Sequence, residues 1–275
     1  MTIQTPETQT PETQTHGTRA PFDEKVAIVT GTSAEIGATI AAALGKAGAR
    51  VLLSYHAEPG FALDAQAEVL KAGGRAVLAP FDLTRVDHNV QLVGQALERW
   101  GRLDVLVANA GLTHQAAFLN TTEDAFDAVV GLNLKGSFFG AQAAARAMIQ
   151  GGRGGRILFS SSVTGTQALP DFAAYGVTKA ALQHLARTLG GELGRYGITV
   201  NALGIGATGN LRNRADDPEY DAHWSTVIPT GRVGLPQDVA DAVLFLASAQ
   251  ASMVNGHTLM IDGGWSDAGL LPRLD

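Results

Sequence analysis

The chain has 275 residues, of which 45 % are hydrophobic and 17 % charged, so it can bury a sizeable core and is not disordered throughout. It has 20 Lys and Arg residues against 26 Asp and Glu, a formal net charge of −6. This charge argues against nucleic acid as the main partner, because phosphate binding needs a basic surface. The absence of cysteine excludes disulfides, thiolate-ligated metal sites and cysteine nucleophiles.

Residues 1–21 differ in composition from the rest of the chain. They contain the pentapeptide TPETQ twice in tandem and almost no apolar side chains. Burial therefore cannot offset the entropy of ordering them, and we predict a disordered tail, although the repeat could instead be a docking tag. The tail lacks the basic start and apolar stretch of a signal peptide, and no later segment is apolar for the ~18 residues that a membrane span needs. We therefore expect a cytoplasmic protein.

From residue 22 onward, short β-branched runs alternate with longer helical patterns. Strands are predicted at 26–30, 51–55, 76–80, 103–109, 156–161, 198–203 and 257–261. Helices are predicted at 36–47, 61–72, 87–100, 123–150, 172–195 and 236–249. Most of the strands are apolar on both faces, as strands between two helical layers must be. The alternation predicts an α/β fold with a doubly wound, mainly parallel seven-stranded sheet, helices on both faces and a single domain over 22–275.

In such a sheet, ligands bind outside the carboxyl ends of the strands. The first predicted strand runs directly into a turn that begins with Gly31 and reaches the first helix at Gly37. A glycine turn at this place lets backbone N–H groups and the helix dipole face a pyrophosphate. The signal is weak by itself, because a tight turn and close helix–strand packing would explain the two glycines equally well.

Tyr175 and Lys179 are four residues apart in a predicted helix and so project from one face. A phenol of ordinary pKa ~10 is a poor acid–base catalyst at neutral pH, and a neighbouring ammonium favours its ionised form. Ser162 follows a buried strand, where a hydroxyl would stand at the ligand edge of the sheet. An ordinary lysine beside a half-buried ring is the alternative explanation of the pair.

The order of the motifs along the chain is more specific than any one of them. Thr30-Gly31 and Gly37, Ala108-Asn109-Ala110-Gly111, Asn133 in NLKG, Ser162, and Tyr175 with Lys179 follow one another, each at a strand end or on a helix. In this the chain resembles the single-domain form of the short-chain dehydrogenase/reductase family, over nearly everything from Lys25 to Trp265. The resemblance implies a Rossmann-type fold and an NAD(P)-dependent oxidoreductase that interconverts a ketone and a secondary alcohol.

The resemblance also implies roles for single residues. Tyr175 would exchange a proton with the substrate oxygen, and Ser162 would hydrogen-bond that oxygen. Lys179 would bind the nicotinamide ribose and favour the phenolate, and Asn133 would hold a water that relays protons to solvent. Asp82 would contact the adenine. The implied cofactor-binding residues are Gly31, Ser33, Ile36, Gly37, Tyr55, His56, Asp82, Leu83, Asn109, Gly111, Tyr175, Lys179, Gly206 and Thr208.

The end of the second strand bears on the choice of cofactor. An acidic residue there accepts the ribose hydroxyls of NAD and repels a 2′-phosphate. This chain has Tyr55 and His56 at that place instead of a carboxylate. We therefore favour NADP(H) over NAD(H), with His56 as a possible phosphate ligand or a plain loop residue.

Three positions depart from the family pattern. Glu35 replaces the middle glycine of the first turn, which adds a Cβ and a negative charge near a pyrophosphate site. Ile205 replaces a proline, which predicts a looser loop. Asn210 stands where the family often has the threonine that binds the carboxamide, so only the earlier Thr208 could substitute for it. These departures keep open an alternative function, a cofactor-weakened relative that serves as a binding or scaffolding protein.

The substrate, a small-molecule carbonyl compound or alcohol, would be bound by Ser162, Tyr175, His114 and Gln167 under a lid at 207–228, which is long, polar and rich in turn formers. The seven histidines form no close ligand pair, so we expect no metal site. Small side chains on the helices at 123–150 and 172–195 permit close helix pairing. Together with the resemblance, they imply a homodimer or homotetramer without nucleic-acid or membrane partners.

Overall fold

The computed structural model describes residues 20–268, so nearly all of the predicted tail at 1–21 lies outside the described residues. The strands are β1 (Val26–Thr30), β2 (Arg50–Tyr55), β3 (Arg75–Pro80), β4 (Val105–Ala108), β5 (Gly155–Ser162), β6 (Ile198–Ile205) and β7 (Thr258–Ile261). The helices are α1 (Glu35–Lys46), α2 (Phe61–Lys71), α3 (Val86–Trp100), α4 (Glu123–Val129), α5 (Ser137–Gly151), α6 (Ala173–Leu193), α7 (Leu211–Asp216), α8 (Tyr220–Ser225) and α9 (Pro236–Ala247).

The strands form one seven-stranded sheet in the order β3-β2-β1-β4-β5-β6-β7, and every neighbouring pair is parallel. The predicted doubly wound α/β fold is therefore confirmed. Because β1 and β4 are neighbours in space, the winding direction reverses between them. A crevice opens at such a reversal, outside the carboxyl ends of the strands.

The core has two layers because successive strand residues face opposite sides of the sheet. In β1, Ala27 and Val29 pack into the cluster that includes α1, α2 and α9, whereas Val26 and Ile28 pack into the cluster that includes α3, α5 and α6. All four side chains are fully buried. This double burial explains why the strand sequences are apolar throughout instead of alternating.

Two regions differ from the sequence prediction. The helix predicted at 123–150 is divided, because residues 130–136 form a π-helical stretch between α4 and α5. The polar stretch at 207–228 contains the two short helices α7 and α8, and its ends, Ala207 and Ile228, are buried. None of the helices within residues 20–268 is long and apolar enough to cross a membrane.

The expectation of a looser loop at Ile205 is wrong at that residue. Ile205 is the last residue of β6 and pairs with Ser162 of β5 on one side and with Ile261 of β7 on the other. The backbone N–H of the next residue, Gly206, also donates to the Ile261 carbonyl at 3.0 Å. Paired neighbours on both sides hold the end of this strand in the absence of a proline.

Candidate active site

A cavity of about 840 Å³ lies at the carboxyl edge of the sheet, and we call it the cleft. It is lined from the ends of β1, β2 and β3 at one side to the ends of β5 and β6 and the start of α6 at the other. The cleft brings together Gly31, Ser33, Ile36, Gly37, Tyr55, His56, Asp82, Leu83, Asn109, Gly111, Ser162, Tyr175, Lys179, Gly206 and Thr208.

The glycine turn lies between β1 and α1, and close packing explains its glycines. Gly31 has a φ of 70°, and a Cβ there would stand 2.7 Å from the Cα of Ala110. A Cβ on Gly37 would run into the carbonyl oxygen of Gly31. The N-cap residue of α1, Ala34, offers no side-chain acceptor to the first helical amides, and the first residues of α1 line the cleft. Unbonded amides at a helix N-terminus suit an anion.

Asn109 connects the glycine turn after β1 to the end of β5. Its Nδ2 donates to the carbonyl oxygens of Thr30 at 3.0 Å and Gly31 at 3.3 Å, and its Oδ1 accepts the Ser160 hydroxyl at 3.0 Å. The Thr30 hydroxyl accepts the backbone N–H groups of Asn109 and Ala110, each at 2.9 Å. The spacing between β1, β4 and β5 at this edge is thereby fixed by side-chain amide and hydroxyl groups.

The three serines at the end of β5 have different hydrogen bonds. The Ser160 hydroxyl donates to Asn109, and the Ser161 hydroxyl donates to the Lys179 carbonyl at 2.8 Å. Ser162 instead accepts the N–H of Thr164 at 3.2 Å, so among residues 20–268 its hydroxyl proton has no hydrogen-bond acceptor. Of the three, Ser162 is therefore the one that can donate to a ligand without losing an internal bond.

Lys179 and Tyr175 face each other one turn apart on α6. The Lys179 Nζ lies 5.3 Å from the centroid of the Tyr175 ring and donates to the Ser160 carbonyl at 2.7 Å. Lys179 is only 5 % exposed, whereas Tyr175 is half-buried and stacks edge-on against Phe172. No carboxylate forms an ion pair with Lys179 in the described part of the chain, so its charge is available to the phenol and to a ligand.

The opposite end of the cleft is lined by Tyr55, His56 and Asp82. Hydrogen bonds from the hydroxyl and the backbone N–H of Thr84 lower the pKa of the Asp82 carboxyl, with the hydroxyl having the largest effect. The backbone N–H of Asp82 donates to Nδ1 of His88 at 3.1 Å. The carboxylate is therefore ionised at neutral pH and is held in place by its hydrogen bonds from Thr84.

The loop 207–228 covers one side of the cleft. Thr208 is 3 % exposed and lines the cleft, and its carbonyl accepts the Asn213 side chain at 2.8 Å. Behind it, the Trp224 ring lies 4.9 Å from that of Trp265, which the sequence did not single out. Their cluster has the members Ala207, Tyr220, Trp224, Ile228, Val233 and Trp265.

Comparisons with known proteins agree with this geometry. The family model described as enoyl-(acyl carrier protein) reductase matches residues 31–266, most of the chain. The chain belongs to the short-chain dehydrogenase/reductase family. A 2-dehydro-3-deoxy-D-gluconate 5-dehydrogenase from Escherichia coli is 34 % identical over 89 % of this chain and 96 % of its own length. An L-rhamnose 1-dehydrogenase (NAD(P)(+)) from Azotobacter vinelandii is 37 % identical over 88 % of this chain and 96 % of its own length.

Solved structures show the same relationship. A protein from Agrobacterium tumefaciens that was crystallised with bound NADP superposes with a TM-score of 0.82 at 30 % identity. The match covers 91 % of this chain and 100 % of the other. The resemblance inferred from the order of the motifs is therefore confirmed, and with it the Rossmann-type sheet of an NAD(P)-dependent oxidoreductase family.

Asn133 occupies a different position from the other residues to which the family resemblance gives a role. It is fully buried in the π-helical stretch and does not line the cleft. Its Oδ1 accepts the N–H of Leu112 at 2.7 Å, and its Nδ2 donates to the Leu112 carbonyl at 2.9 Å and to the Thr178 hydroxyl at 3.2 Å. These bonds attach α6 to the chain after β4. A water held by Asn133 stays a prediction.

Two predicted substrate ligands of this short-chain dehydrogenase/reductase, His114 and Gln167, do not line the cleft. The side-chain amide of Gln167 donates to the Ser266 carbonyl at 3.1 Å, and the Nε2 of His114 is buried without a hydrogen-bond partner among the described residues. Their contact with substrate stays a prediction. Within residues 20–268, no group of three or more His, Asp or Glu side chains is arranged to hold a metal ion.

Proposed function

We propose that this chain interconverts a ketone and a secondary alcohol with a nicotinamide cofactor, and more narrowly that it is an NADPH-dependent ketoreductase. The observation that carries the proposal is that Tyr175, Ser162 and Lys179 all line the cleft, where the Ser162 hydroxyl can donate to a ligand and the Lys179 ammonium lies 5.3 Å from the centre of the Tyr175 ring. The relatives named as dehydrogenases support a CH–OH group as the reacting group.

The residues of the cleft fit a nicotinamide dinucleotide. The first amides of α1 lack a side-chain cap and would bind the pyrophosphate, Lys179 would bind the nicotinamide ribose, and Asp82 would contact the adenine. When bound, this cofactor supplies or accepts the hydride. The protein would orient this cofactor and the substrate and would stabilise the charge that develops on the substrate oxygen.

Three side chains would handle the proton and the developing charge. In reduction, the Tyr175 phenol gives its proton to the carbonyl oxygen of the substrate, and in oxidation the phenolate takes it back. The Ser162 hydroxyl donates a hydrogen bond to the same oxygen and stabilises the negative charge that develops on it. The Lys179 ammonium, buried 5.3 Å from the centre of the ring, would place a positive charge beside the group that gives up the proton.

The preference for NADP(H) is a narrower part of the proposal. The end of β2 presents Tyr55 and His56 to the cleft and no carboxylate that would repel a 2′-phosphate. The relative crystallised with NADP supports this choice. We expect a lower KM for NADPH than for NADH. An equal or higher KM for NADPH would leave the ketoreductase proposal standing and remove the cofactor preference.

The direct test is a panel of aliphatic, aromatic and hydroxylated ketones incubated with the full chain and either NADPH or NADH. We expect loss of reduced-nicotinamide absorbance with at least one ketone class, and the reverse reaction with the matching alcohol. Cofactor binding without turnover on any ketone or alcohol would contradict the proposal.

A second candidate function, a binding or scaffolding protein with weakened cofactor affinity, is favoured by one observation. Glu35 places a carboxylate in the wall of the cleft beside the glycine turn. Fluorescence titration separates the two functions. Saturable NADPH binding with a shift of nicotinamide fluorescence supports the enzyme, and the absence of a shift at millimolar NADPH and NADH supports the scaffold.

We also propose that the protein forms a homodimer or homotetramer through the faces of α4, α5 and α6. Phe126 of α4 and Phe138 and Ile149 of α5 are large apolar side chains that this chain alone leaves exposed. Exposed apolar side chains on neighbouring helices are typical of protein–protein contacts. Light scattering at the mass of one chain, 28.6 kDa, would contradict the assembly.

A further inference from the structure

Glu35 makes a contact that its position in the glycine turn did not predict. It is the first residue of α1 and lines the cleft, and its Oε2 accepts the backbone N–H of Leu211, 176 positions later in the chain. Leu211 is the first residue of α7 in the loop 207–228. A carboxylate at the place of a family glycine is therefore bonded to the segment that covers the cleft.

The next residue of the loop is attached to the opposite wall. The Arg212 Nη2 donates to the Thr113 hydroxyl at 3.3 Å, and Thr113 lies beyond the end of β4. Among the described residues, the Glu35 and Thr113 contacts are the two hydrogen bonds that join α7 to anything outside the loop. Its remaining bonds stay within the loop, as between Arg214 and Asp221. These two bonds attach α7 itself, while the bridge between Thr208 and Gly234 holds the chain just before it.

We propose that Glu35 is a positioning residue that holds α7 across the mouth of the cleft, and that the cleft opens by breaking the Glu35–Leu211 bond. The inference rests on the proposed function for the identity of the ligand, a nicotinamide dinucleotide. A carboxylate released from Leu211 would face the pyrophosphate at the N-terminus of α1 and repel it. While its oxygen accepts the Leu211 N–H, the carboxylate is directed toward the loop and not toward the first amides of α1. Closure of the loop would therefore lessen the repulsion and favour binding of the anion.

The first experiment needs no cofactor. Hydrogen exchange of the Leu211 amide, followed by NMR on the full chain, reports the bond directly. We expect about tenfold faster exchange in Glu35→Ala and a rate within about threefold of wild type in Glu35→Gln, whose amide oxygen still accepts the N–H. Glu98→Ala, on an exposed position of α3 away from the cleft, is the matched control. Equal exchange in Glu35→Ala and wild type would overturn the proposal.

The second experiment removes the donor and leaves the carboxylate. Leu211→Pro deletes the N–H at the first position of a helix, where proline is tolerated, and the preceding Asn210 is extended (φ −129°, ψ 166°), as a residue before proline should be. In stopped-flow displacement of bound NADPH, Leu211→Pro should release cofactor about fivefold or more faster than wild type. Glu35→Ala removes the bond and the repelling charge together, so it should release cofactor faster than wild type but no faster than Leu211→Pro. Because both remove one bond, the double variant should be no faster than the faster single variant.

The outcomes separate this inference from the proposed function. Wild type that binds neither NADPH nor NADH removes the proposed function, and the exchange rates of Leu211 alone then decide whether Glu35 holds α7. Wild type that binds cofactor while both single variants release it at the wild-type rate overturns the inference and leaves the proposed function intact. Fully additive effects in the double variant would also overturn it, because the two changes would then act through different contacts.

Discussion

The Lys179 ammonium stands 5.3 Å from the centre of the Tyr175 ring and is held there by the carbonyl oxygen of Ser160 at 2.7 Å. Because Lys179 is almost fully buried, water screens its charge little, and the phenol experiences it through the protein. The bond to Ser160 also connects α6 to the end of β5. The phenol, the ammonium and the donor hydroxyl of Ser162 are therefore positioned by the same two elements.

Tyr175→Phe removes the hydroxyl and keeps the ring, including its edge contact with Phe172. We expect turnover of a ketone to fall by about 10²–10⁴ because the proton donor is lost. Cofactor affinity should stay within about twofold of the wild-type value, because the change affects proton transfer and not cofactor binding. Steady-state kinetics and NADPH titration measure the two quantities. Tyr196→Phe, on a tyrosine outside the cleft, is the control, and residual turnover near wild type would refute the role.

Ser162→Ala and Ser161→Ala form a matched pair on one strand. Loss of the Ser162 hydroxyl should lower kcat by about 10²–10³, the usual cost of removing a donor to a developing oxyanion. Loss of the Ser161 hydroxyl removes an internal bond to the Lys179 carbonyl and should cost about 1 kcal/mol of stability. Its effect on kcat should be far smaller. Similar losses of kcat in the two variants would contradict the assignment of Ser162.

Gly37→Ala tests whether the close contact between α1 and the glycine turn requires a glycine. Gly94→Ala, on a helix with open space at that position, is the control for helix propensity. A Cβ on Gly37 would collide with the Gly31 carbonyl, so we expect a loss of about 1–3 kcal/mol in the free energy of unfolding. Gly94 lies within α3 and has open space around it, so alanine there should stabilise by about 0.5–1 kcal/mol. Urea unfolding measures both. A stable Gly37→Ala protein would mean that the turn can shift without cost.

Asp104 makes the stability of the fold sensitive to acid. Burial raises the pKa of its carboxyl, but hydrogen bonds from Arg102 and the Val26 N–H and the charge of Lys25 outweigh burial and lower it overall. The stabilisation is therefore complete above the ordinary pKa of about 3.9 and is lost as pH falls through the lower folded value. Asp104→Asn should cost about 1–3 kcal/mol at neutral pH and flatten the acid side of the stability profile.

Chemical denaturation at neutral pH and at mildly acidic pH checks this prediction. Asp87→Asn is the control, because that carboxylate also pairs with an arginine, Arg85, but is fully exposed. An exposed pair contributes little, so the control should leave the free energy of unfolding nearly unchanged. A wild-type acid profile in Asp104→Asn would show that the buried pair does not control acid stability.

The sheet was predictable because its strands carry a local signal. Buried strands such as β1 are apolar on both faces, and each is followed by turn residues and an amphipathic helix. The interruption between α4 and α5 has no such signal, since residues 130–136 contain no proline and the π-helical turn forms where Asn133 bonds to Leu112 and Thr178. Contacts between distant residues decide that geometry.

The site was predictable in part for the same reason. Tyr175, Lys179 and Ser162 follow strands or share a helix face, so their spacing already brings them to one edge. The Glu35–Leu211 bond joins residues 176 positions apart, and no local pattern specifies it. The sequence also predicts a lid at 207–228 but not its two short helices. The first, α7, begins where the Asn210 side chain accepts the Asn213 N–H, whereas α8 has no side-chain cap.

The bonds of Asn109 have a consequence for how such a protein can change over evolutionary time. One side-chain amide spans the turn at Gly31 and the strand at Ser160, and the bond from Lys179 to Ser160 attaches α6, which carries the phenol, to the same strand end. The loop 207–228 over that edge supplies none of the three groups Tyr175, Lys179 and Ser162. Substitutions there can alter which molecule is accepted while the chemical step is inherited unchanged, which lets one scaffold acquire new substrates by small steps.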